Sequence, residues 1–169
     1  MLEDAPKGVA PRDTSDNNPA LEGFRNLVAG ARVVRIVMND DLSYVRERID
    51  SYRGYSDEPD RHESDMRVRA YVGNALTRAQ ARLGEGLGGA TRELLEAVLM
   101  KCMFTDQVFI RKFEHAQLDE PTLAALVRSD RKLLECADDA RAGDGASLDG
   151  LLREIDHEFE ARRSPEPVA

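Results

Sequence analysis

Tryptophan is absent from the 169 residues, cysteine occurs only twice, and aromatic side chains make up just 5% of the chain. Two thiols cannot staple a scaffold of this size. Cys102 and Cys136 both sit in apolar helical stretches, the ordinary setting of reduced, buried cysteine, and this usage points to the cytoplasm. Long hydrophobic runs are missing as well. The richest stretch, Leu94 to Ile110, is interrupted by Glu96, Lys101, Asp106 and Gln107, so the ~20 consecutive apolar residues of a membrane span do not occur. The first eighteen residues mix Glu3, Asp4, Lys7, Asp13 and Asp16 with Pro6 and Pro11 and hold no apolar segment that would serve a signal peptide.

What the chain does have is charge and helical periodicity. Charged residues reach 33% and hydrophobic residues 41%, the latter recurring throughout residues 21–159, so a core can form. No stretch alternates at the period of a strand, and every periodic segment follows helical spacing. The fold class that follows is all-α: a compact bundle of about six helices with antiparallel neighbours. The expected organisation is one helical domain over 19–161 between polar, flexible tails at 1–18 and 162–169.

The spacing predicts a first helix over 20–38 with the stripe Phe24, Leu27, Val28, Ala31, Val34 and Met38. Asn39-Asp40 should end it. A second helix, 41–53, would bury Leu42, Val45, Ile49 and Tyr52 behind a cap at Asp40 or Asp41. The third runs from Ser56 or Asp57 to Leu83 and buries Val68, Val72, Ala75, Leu76, Ala79 and Leu83. The fourth, 90–117, is apolar around much of its circumference and reads as the central helix. The fifth, 120–141, and the sixth, 148–163, should pair as a hairpin against it.

The net charge of −8 is unevenly spread. Residues 24–92 carry twelve arginines against ten acids, whereas residues 93–169 carry ten basic and seventeen acidic side chains. On the third helix Arg67, Tyr71, Asn74, Arg78 and Arg82 fall within roughly 80° of one another, nearly opposite the apolar face, and no acid lies between Met66 and Leu83. Arg25, Arg32 and Arg35 add a second acid-free stretch on the first helix. Arginine forks suit phosphate oxygens and a tyrosine ring can stack on a base, so these eight residues form the candidate nucleic-acid surface. The competing reading is a solvated face whose arginines pair with the acidic C-terminal helices or with a second copy.

Other motifs lack their physical context. Gly84-Glu85-Gly86-Leu87-Gly88-Gly89 matches G-x-G-x-x-G, but it follows a helix rather than a strand, and Glu85 would stand beside a pyrophosphate. It reads as an interhelical connection. Glu154-Ile155-Asp156-His157 has the E-x-x-H spacing of a di-iron helix without the second motif such a centre needs. His157-Glu158 begins H-E-x-x-H, but Ala161 replaces the second ligand. No nucleophile motif, cofactor motif or metal set is apparent. Met100, Met103, Phe104, Phe109 and Phe113 would serve as core or line a ligand pocket.

The function that follows is a noncatalytic helical binding and assembly subunit of a larger complex. Its partners would be another protein or a second copy, and RNA or DNA along the arginine stripe, as in a small helical subunit of a ribonucleoprotein complex. The alternatives are an acidic helical adaptor that binds another protein, and a small-ligand or metal-dependent helical protein.

Overall fold

A computed structural model describes residues 38–165, together with Gly30. The predicted helix over 20–38, the tail at 1–18, and Arg25, Arg32 and Arg35 lie outside the described residues, apart from Gly30 and Met38. No strand occurs among the described residues, as the periodicity implied.

Residues 38–48 are helical without interruption and are labelled α1. Asn39 and Asp40 therefore do not end one helix and begin another. Asp41 is not a cap: its carboxylate is buried and turned to Arg131 at 3.1 Å and Arg128 at 3.7 Å. Past α1 the chain returns through Tyr52 and Tyr55, both buried, to α2 over Glu58–Leu83. Pro59 and the acids Glu58 and Asp60 occupy the first turn of α2, where a missing amide and negative charge both suit a helix start.

The long fourth helix expected from sequence is two helices, α3 over Gly89–Met103 and α4 over Gln107–Phe113. Asp106 makes the break, because its side chain accepts hydrogen bonds from the amides of Val108 and Phe109 and so starts a new helix. The bend explains the apolar circumference. It turns Phe109 and Phe113 into the core while Met100, Met103, Phe104 and Val108 stay exposed, so this segment is not the central helix. A 3-10 turn at Gly84–Gly86 joins α2 to α3, and the glycine run is an interhelical connection.

Asp119 caps α5, Glu120–Ala142, through the amide of Thr122, and Asp144 caps α6, Gly145–Ala161, through that of Ser147. The last helix thus starts three residues before its apolar stripe does. α2 packs on α5 and α3, and α6 on α5 and α3, which closes a four-helix square. α5 and α6 are the expected antiparallel hairpin: Lys132 reaches Glu158 at 3.0 Å, and Arg162 just past α6 returns to Asp130. α1 lies along α5, with Asp41 level with Arg131 and Arg48 level with Asp138. Tyr44 is held there between the guanidiniums of Arg48 and Arg131.

The core follows the predicted stripes. Val45, Val68, Val72, Leu76, Leu95, Leu126, Leu133, Leu152 and Ile155 are buried at its centre. The turn before α2 needs Gly54, whose φ is 81° and whose carbonyl accepts from the Ser64 hydroxyl at 2.8 Å. An added Cβ there would meet Leu42 at an ordinary 3.6 Å, so substitution strains only the backbone. Gly54→Ala should therefore lose about 1–2 kcal/mol of unfolding free energy in urea, with an unchanged slope.

Candidate functional site

The arginine stripe is divided by its neighbours. Arg67 pairs with Glu63 one turn earlier at 2.5 Å, and Tyr71 donates its hydroxyl proton to Asp138 on α5 at 2.7 Å. Arg82 donates to the carbonyls of Ala140 and Gly143 at the end of α5. Asn74 turns the other way, into the cleft between α2 and α3. Arg78 is exposed and makes no ion pair or hydrogen bond among the described residues. Three of the five residues thus bond within the chain, two of them to α5, one of the acidic C-terminal helices that the competing reading named.

The second group of charges is hidden in the core. Arg162, just past α6, keeps only 1% of its surface exposed. Its guanidinium contacts Asp65 of α2 at 2.9 Å and Asp130 of α5 at 2.8 Å, and it donates to the hydroxyl of Tyr55. Tyr52 and Tyr55 both donate to the other oxygen of Asp130. Asp65 also receives Arg69 at 2.8 Å, and Arg69 in turn donates to the Lys101 carbonyl at the end of α3. Asp106 pairs with Arg163 at 2.9 Å and lies 3.5 Å from Arg69. Three arginines and three aspartates thus balance where a lone buried charge would be costly.

α4 closes this end of the bundle. Arg61, buried on α2, donates to the carbonyls of Phe113 and Ala116 at 2.7 Å each, satisfying groups left open at the helix end. Phe109 lies 4.9 Å from the Arg162 guanidinium and edge-on to Tyr55. Residues 162 and 163, placed in a flexible tail by their composition, are the most integrated arginines of the C-terminal segment. Sequence reasoning missed them because a solvated tail and an inserted guanidinium have the same composition. The one available signal was spacing, since Ile155, Phe159 and Arg162 share a helical stripe.

A third feature lies on the surface. Met66, Met100, Met103, Phe104 and Val108 are exposed around the α3–α4 bend, Met103 by 74% and Phe104 by 61%. Met66, Met103, Phe104, Leu99 and Ala70 line an open cleft of roughly 400 Å³ between α2 and the bend. Among the described residues the one charged side chain on its wall, Arg69, is held by Asp65. Among the described residues no three of His, Cys, Asp and Glu converge on a possible metal site, and no helix is long and apolar enough to cross a membrane. Both cysteines are free and buried, and burial pushes their thiols up to about 12.

Burial also raises the Asp130 carboxyl to about 6, against the lowering pull of Arg162 and of the Tyr52 and Tyr55 hydroxyls. A carboxyl raised in the native state contributes stability below its unfolded value near 4, and this contribution is lost as pH rises through about 6. For Asp130 it amounts to about 3 kcal/mol. The stability difference between the wild type and Asp130→Asn should therefore shrink by this amount between pH 4 and pH 7. A difference constant across that range contradicts the assignment. Arg162→Met, which strands Asp65 and Asp130 together, should cost about 3–5 kcal/mol at pH 7 in denaturant unfolding.

Compared with known proteins, the chain matches no family model, no curated protein and no solved structure.

Proposed function

We propose that this chain is a noncatalytic helical binding module that works inside a larger assembly and engages another polypeptide through the α3–α4 bend. The observation that carries this reading is the exposure of Met66, Met100, Met103, Phe104 and Val108 on one surface. Single exposed apolar residues are normal in soluble proteins, but Met66, Met103 and Phe104 lining one cleft, with Met100 and Val108 exposed nearby, are characteristic of a binding surface. Methionine suits that role, because its unbranched, polarizable side chain repacks against partners of different shape. The cleft wall carries apolar and small side chains, which fits the apolar stripe of a helix.

Nucleic acid is the second reading, and the exposed Arg78, which makes no ion pair or hydrogen bond among the described residues, is what favours it. It draws less support, because Arg67, Tyr71 and Arg82 would have to give up bonds to Glu63, Asp138 and the end of α5 before meeting a phosphate. Exchanging such bonds gains little.

Affinity purification of the full chain from its host after nuclease treatment separates the two. The polypeptide reading predicts a retained protein that survives nuclease and is lost in Met103→Glu/Phe104→Glu, a pair of exposed changes that leaves the helical signal intact. Retention that requires nucleic acid and falls steeply between about 50 and 200 mM salt would instead favour the arginine stripe.

A further inference from the structure

We draw no further inference here: the strongest candidate, the open apolar cleft between α2 and α3 beside the α3–α4 bend, belongs to the surface already described, and nothing in the structure shows which polypeptide covers it.

Discussion

The guanidinium of Arg162 lies where water cannot solvate it, so its charge has to be met by groups brought to it from other parts of the chain. Asp65 comes from α2, Asp130 from α5, and Tyr55 from the turn after α1. Each of these elements is thereby fixed relative to the end of α6. A buried ion pair need not add net stability, because desolvation offsets much of the attraction. Its effect here is positional. A slip of one helical turn in α2 or α5 would withdraw an aspartate from a buried cation, whereas aliphatic contacts would only exchange one neighbour for another.

The same requirement reaches the surface through α4. Asp106 starts this helix and accepts Arg163, while Arg61 holds its last carbonyls. With both ends fixed, Phe109 falls over the Arg162 guanidinium and Phe113 packs behind it. The bend that allows this leaves Met103, Phe104 and Val108 facing outward. The apolar surface on which the proposed function rests is therefore the outer side of the helix break that covers the network.

Much of the bundle was legible in the sequence because helical periodicity depends only on neighbours along the chain. The stripes of α2, α5 and α6 are buried as their spacing indicated, and α5 and α6 form their hairpin. The break at Asp106 was harder to see. An aspartate inside a strongly apolar helical pattern reads as a tolerated polar residue unless its role as a cap is recognised. Conversely, Asn39-Asp40 resembled a boundary, but pairing of Asp41 with α5 keeps the helix running. The inward arginines were illegible for a different reason. Arg61, Arg69 and Arg162 are drawn inward by partners about thirty to a hundred residues away, and the one nearby pair, Asp65 with Arg69, has the same i,i+4 spacing as an exposed pair such as Glu63 with Arg67. For Arg67, Tyr71, Asn74, Arg78 and Arg82, the spacing put five polar side chains on one stripe but could not reveal that α5 would occupy Tyr71 and Arg82 or that Asn74 would turn into the cleft with α3.

The most direct measurement is hydrogen exchange at the arginine side chains by nitrogen-resolved magnetic resonance. If Arg162 is inserted between Asp65 and Asp130 beneath Phe109, its side-chain protons give a separate signal and exchange orders of magnitude more slowly than those of exposed Arg78. An Arg162 signal that exchanges as fast as that of Arg78 would contradict the account, since the charge around which α2, α5 and α6 are arranged would then lie in water.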